Sequence, residues 1–164
     1  MYIPMNVSTV TVDPVSNSPI VILKEIDGDK ILPIWIGIME ATAIASELEK
    51  IKFSRPMTHD LIKNIMDTLD VKITRVEVCD LRDNTYYALI HLLTSDGKEY
   101  AIDARPSDAL ALSLRTNAPI FVKEEVILKS ARLTEDDSDE SEKGKRWKKI
   151  LESLKPEDFG KYKM

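Results

Sequence analysis

The chain has no glutamine, a single cysteine, Cys79, and few aromatic residues, 6% of 164. One cysteine excludes an intrachain disulfide and suits a reducing compartment. With so few aromatics, the core must come mainly from Ile, Leu, Val and Ala. No apolar run approaches the roughly 20 residues that cross a bilayer as a helix. Met1–Tyr2–Ile3–Pro4 lacks the basic start and apolar stretch of a signal peptide. The expected location is therefore the cytoplasm, with no membrane partner. Positive charge is also scarce. The net charge is −5, and up to Lys129 there are 14 basic and 19 acidic residues, so this part carries the whole excess. That excludes tight, non-specific nucleic-acid binding through a broad basic footprint. There is no CxxC, Gly-rich phosphate loop, HExxH or GxSxG, which removes zinc ribbons, P-loop ATPases, zincins and serine hydrolases. Charged residues at 31% with no glutamine and one cysteine match a thermophile's composition.

What is present reads as one α+β domain over residues 1–130. It has a largely antiparallel or mixed sheet and about three helices, followed by a charged tail over 131–164. Strands are expected over 6–13, 20–26 and 31–36, with a hairpin turn at Asp27-Gly28-Asp29 where Gly28 permits positive φ. Pro33 marks its strand as an edge or a bulge. Ile38, Ala41, Ile44, Ala45, Leu48 and Ile51 then recur at helical spacing. A second helix is expected from Thr58, as N-cap, through Leu69. Strands over 71–80, 86–94 and 99–103 are joined by short turns and predict an antiparallel meander. A third helix follows Pro106, capped by Ser107. A short strand follows over 120–122, then a turn or short helix over 124–129. In the tail, Glu135–Glu142 reads as a solvated linker, and Trp147, Ile150, Leu151 and Leu154 as one face of a short helix.

Three segments concentrate the polar chemistry. Pro33–Ala41 is a strand-to-helix turn that presents Glu40, with Gly37 allowing close approach. Arg55-Pro56-Met57-Thr58-His59-Asp60 opens a helix with a base, an acid and a phosphate-binding cation together. Asp103-Ala104-Arg105-Pro106-Ser107-Asp108 repeats that logic, and its two carboxylates suit a hard cation such as Mg²⁺ or Mn²⁺. Each segment also has a purely structural reading, as a helix cap with surface charges.

Together, PIWIGIMEA, RPMTHDL and DARPSDALAL, in this order and spacing, resemble the bifunctional nuclease family, formerly a domain of unknown function. The likeness spans roughly residues 1–130. It implies a single α+β domain, a homodimer or other homo-oligomer, and cleavage of RNA and DNA with little sequence preference. The residues' chemistry then gives His59, Asp60, Asp103 and Asp108 as catalytic candidates and Arg55, Arg105 and Ser107 as substrate binders. Asp103, Asp108 and Glu40 are the candidate ligands of Mg²⁺ or Mn²⁺. The alternative is a non-catalytic oligomeric module that binds an anionic ligand or a protein partner.

Overall fold

The computed structural model describes residues 1–136. The element order is β1 (Tyr2–Val12), β2 (Pro19–Glu25), β3 (Ile31–Trp35), α1 (Ile38–Leu48), α2 (Thr58–Thr68), β4 (Lys72–Arg82), β5 (Thr85–Leu93), β6 (Glu99–Ala104), α3 (Pro106–Thr116), β7 (Ile120–Lys123) and α4 (Glu124–Asp136). The seven strands form one mixed sheet in the order β3-β2-β1-β7-β4-β5-β6. It consists of two antiparallel meanders joined by β7. This four-residue strand pairs antiparallel with β1 on one side and parallel with β4 on the other. α3 is the crossover that returns the chain from the β6 edge to the centre. The expected meander is present as β4-β5-β6, and Pro33 lies on an edge strand, where its missing N–H costs no ladder bond.

The core is aliphatic, as the scarcity of aromatics required. Met5, Leu23, Leu32, Val76, Val78 and Val122 of the sheet, Ile44 of α1 and Leu110 of α3 are fully buried in one cluster. β1 starts at Tyr2, earlier than expected, because Tyr2–Met5 pair with β7, a partner over a hundred residues away. α1 stops at Leu48, short of Ile51. Its chain reverses at Lys50 (φ 53°), and the Ile51 N–H donates to the Ser46 carbonyl. α2 ends the same way at Asp70 (φ 54°), with the Val71 N–H donating to Met66 O. Both are left-handed stops without glycine. Gly28 does not adopt positive φ, whereas Gly97 does, at 82°. α4 is a 13-residue helix rather than a turn, because Val126, Ile127 and Ser130 are buried against the sheet. It runs through Ala131, where the composition changes, to Asp136. The linker after Asp136 and the helix face around Trp147 lie outside the described residues. Among the described residues, no helix is long and apolar enough to cross a membrane.

Candidate active site

The caps differ from expectation, and the difference shapes the site. The N-caps are Gly37, Met57 and Arg105, and no N-cap side chain makes a capping hydrogen bond toward its helix. Thr58 and Ser107 lie inside the helices instead. In each case the third helical residue is acidic: Glu40, Asp60 and Asp108. Asp60 Oδ2 accepts the Met57 N–H at 3.0 Å. The Glu40 carboxylate folds back over Gly37, into space that a Cβ there would need, and accepts its own backbone N–H. A side chain at position 37 would have to displace that carboxylate. A carboxylate on the third helical residue satisfies otherwise orphaned donors and meets the positive end of the helix dipole.

These three helix starts converge. α1 and α2 both pack on α3, and a cleft of about 230 Å³ opens between them, lined by Met39, Glu40, Phe53, Met57, His59, Arg105 and Asp108, among others. His59 Nε2 lies 2.9 Å from Asp108 Oδ1, joining the two Arg-Pro segments across 49 positions of sequence. Arg105 donates from Nε to Asp108 Oδ2 at 2.8 Å, and from its two terminal nitrogens to Asp108 Oδ1 at 3.2 Å and Glu40 Oε1 at 2.7 Å. Three of a guanidinium's five N–H donors are thus engaged, and the side chain, which lines the cleft, is 63% exposed.

Burial alone would raise the Asp108 carboxyl's pKa. The hydrogen bonds and charges of Arg105 and His59 outweigh it and hold Asp108 below the ordinary carboxylate range. Glu40 is also lowered, first by its own backbone N–H and then by Arg105. The Arg105 guanidinium, bound to both, is pushed up and stays charged. Asp108 is thereby a fixed anion that orients His59. If His59 Nε2 carries the proton toward Asp108, Nδ1 is left as an acceptor.

Sequence reasoning missed Arg115. Its side chain is 4% exposed, lines the cleft, and ties the three helices together. It donates to Asp60 Oδ1 at 2.8 Å and to the Ala43 and Ala111 carbonyls at 2.9 Å each. Against the burial penalty, Arg115 and the Met57 N–H pull the Asp60 pKa down. Asp60 therefore braces the site from behind rather than facing its contents. The available signal was a single Arg in the apolar run of α3, seven residues after Asp108 and so on the same face.

The other expected residues are dispersed. Ser107 is buried and lines a neighbouring cleft. Asp103 is exposed on β6, opposite Leu89, and lines neither cleft. Arg55 is exposed in the segment between Phe53 and Met57, with no hydrogen-bond or ion-pair partner among the described residues. The carboxylates named for Mg²⁺ or Mn²⁺ are therefore not assembled: Asp103 stands apart, and Arg105 spans Glu40 and Asp108. Among the described residues, no three His, Cys, Asp or Glu side chains are grouped to hold a metal ion.

The bifunctional nuclease domain model matches residues 21–135, which includes all three motifs and the whole cleft. The chain belongs to the bifunctional nuclease domain family. An uncharacterized protein of Mycobacterium tuberculosis is 36% identical over 157 residues, covering 92% of this chain and 93% of that protein. Bifunctional nuclease 1 of Oryza sativa subsp. indica is 26% identical over 109 residues, covering 65% of this chain and 33% of the plant protein. Bifunctional nuclease 2 of Arabidopsis thaliana is 27% identical over 105 residues, with 62% and 32% coverage. The chain thus matches about a third of the length of these plant proteins.

Proposed function

We propose that this bifunctional nuclease domain is a phosphodiesterase acting on RNA and DNA, and that the cleft between α1, α2 and α3 is its active site. The observation that carries this is the 2.9 Å contact of His59 with Asp108 beside the exposed Arg105. The two free N–H groups of Arg105 bind the phosphate oxygens and stabilise the charge that develops there. His59 Nδ1 takes the proton from the attacking water, or from the 2′-hydroxyl in RNA. The new P–O bond forms as the bond to the leaving oxygen breaks, and the imidazolium held by Asp108 supplies a proton. No step is routed through a metal. Whether Mg²⁺ or Mn²⁺ is needed is an arm of the test.

A non-catalytic module for an anionic ligand or protein partner is the competing reading. It is favoured by the fact that every carboxylate of the site already has an arginine or a backbone N–H as partner. Purified protein incubated with plasmid DNA and with RNA, in Mg²⁺, Mn²⁺ or EDTA, separates the two. Cleavage lost in His59→Ala supports the enzyme. No cleavage, together with a melting temperature raised by phosphate, supports the binding module.

Self-association as a homodimer completes the proposal. α2 has no fully buried residue, and Leu61 and Ile65, with Leu69 just beyond the helix, form an exposed apolar stripe. A second copy of the chain is the occupant proposed for it. Sedimentation velocity on Ile65→Lys is expected to show monomer, and a Leu61→Lys/Ile65→Lys protein that sediments like the wild type would refute that interface.

A further inference from the structure

A second cleft, of about 270 Å³, adjoins the first and shares its Glu40 and Arg105 wall. Trp35, Asn84, Tyr86 and Ser107 line its other sides. The two clefts therefore meet at the guanidinium to which the phosphate has been assigned. A chain with its phosphate at Arg105 must extend a sugar and base to one side or the other.

The walls of this second cleft are aromatic and fixed. Trp35, the last residue of edge strand β3, is 38% exposed, and its side chain is hydrogen-bonded to Asp13. The Tyr86 hydroxyl is held by Ser130 Oγ at 2.9 Å and by the Pro33 carbonyl at 3.3 Å, which sets its ring. Asn84 lies in the two-residue turn between β4 and β5, where Asp83 (φ 48°) and Asn84 (φ 58°) are both left-handed. Neither is glycine, so the turn holds a conformation that L residues adopt at a cost. An asparagine amide offers a donor and an acceptor side by side, the pattern that reads a base edge. A fixed indole is a stacking platform for any base.

We propose that this second cleft is a nucleobase subsite. It takes one unstacked base of a single-stranded nucleic acid against Trp35, with the base edge toward Asn84 and the adjoining phosphate at Arg105. This rests on the phosphodiesterase reading above and adds its substrate class. At about 270 Å³ the cleft has room for a planar base. In a duplex each base is covered on both faces by its neighbours, and must leave the stack before an indole can take their place. Single strands and loops are thus the favoured substrates.

The chain has two tryptophans, Trp35 and Trp147, so Trp147→Phe leaves Trp35 as the only indole reporter. In that protein carrying His59→Ala to prevent cleavage, hexathymidylate is expected to quench Trp35 emission saturably. It should bind at least tenfold more tightly than the matched duplex. With a dye-labelled hexamer read by anisotropy, Trp35→Ala is expected to weaken binding roughly 5- to 150-fold, and Trp35→Phe to restore most of it. Circular dichroism on both variants shows that the fold is kept. Unchanged emission, equal affinity for single strand and duplex, or wild-type affinity in Trp35→Ala would each overturn the subsite. If the wild type nevertheless cleaves nucleic acid, only the subsite falls. A wild type that neither binds nor cleaves removes the phosphodiesterase reading and the subsite with it.

Discussion

At the scale of single residues, the site is a chain of charge contacts with different tasks. His59 and Asp108 face the cleft, so Asp108→Asn removes the anion that orients His59 and part of the anchor of Arg105. Loss of a positioned acid–base group lowers turnover by about 100- to 10,000-fold. Asp108→Asn is expected within that range in kcat, read as rate of oligonucleotide cleavage by the folded variant. Arg115 behaves oppositely. It is buried, and removing Asp60 leaves its charge without a carboxylate, so Asp60→Asn is expected to cost about 3 kcal/mol of stability in urea denaturation. Wild-type stability in Asp60→Asn would show that the backbone carbonyls of Ala43 and Ala111 suffice to hold Arg115. How legible these residues were in the sequence follows from their geometry. Glu40, His59, Arg105 and Asp108 stood out because each sits beside a Pro or Gly that announces a helix start. Arg115 lies within α3 with nothing local to mark it, and its role is made by two contacts far away in sequence, to Asp60 and Ala43. Asp103 looked like a partner of Asp108 because only five residues separate them. The turn into α3 places one on a strand edge and the other in the cleft.

At the scale of elements, helices and meander strands were readable because their information is local: an apolar period, a turn, a proline. β7 and the first residues of β1 were not fully legible, since four residues carry little period and the pairing of Tyr2–Met5 with 120–123 is a long-range event. α4 was shortened for a related reason. Its polar Ser130 is buried by a hydrogen bond to Tyr86, a partner 44 positions away. The helix ends carry a separate prediction. Lys50 and Asp70 occupy left-handed positions that glycine takes without strain. Lys50→Gly and Asp70→Gly are each expected to raise stability by about 0.5 kcal/mol, the steric relief of roughly 1–2 kcal/mol less the extra chain entropy lost. Thermal denaturation showing a lower melting temperature in both would mean that their side chains hold the stops.

At the scale of the whole molecule, acid should be the condition that opens the site. Glu40, Asp60 and Asp108 all have folded pKa values below the ordinary ones. Each therefore binds protons more weakly when folded. The stability this contributes is fully present above the ordinary carboxylate pKa of about 4 and is lost as pH falls through the folded values. The melting temperature is expected to be level from about pH 7 to 5 and to drop below about pH 4. The drop should be shallower in Asp60→Asn, measured by calorimetry at low salt. The net charge of −5 makes a second claim at this scale. With few cations at the site, the logarithm of affinity for single-stranded nucleic acid should fall with the logarithm of salt at a slope of only about −1 to −2, at ~0.7 per phosphate neutralised. A much steeper slope would place the binding surface elsewhere.

The most direct test of the central claim is imidazole rescue of a His59→Gly protein acting on a labelled single-stranded oligonucleotide. The account predicts a rate about 100-fold or more below wild type. Free imidazole should raise it in a saturable way and give the same cleavage products. A His59→Gly protein that cleaves at the wild-type rate would contradict it, because the activity would then not arise in the cleft where His59 meets Asp108.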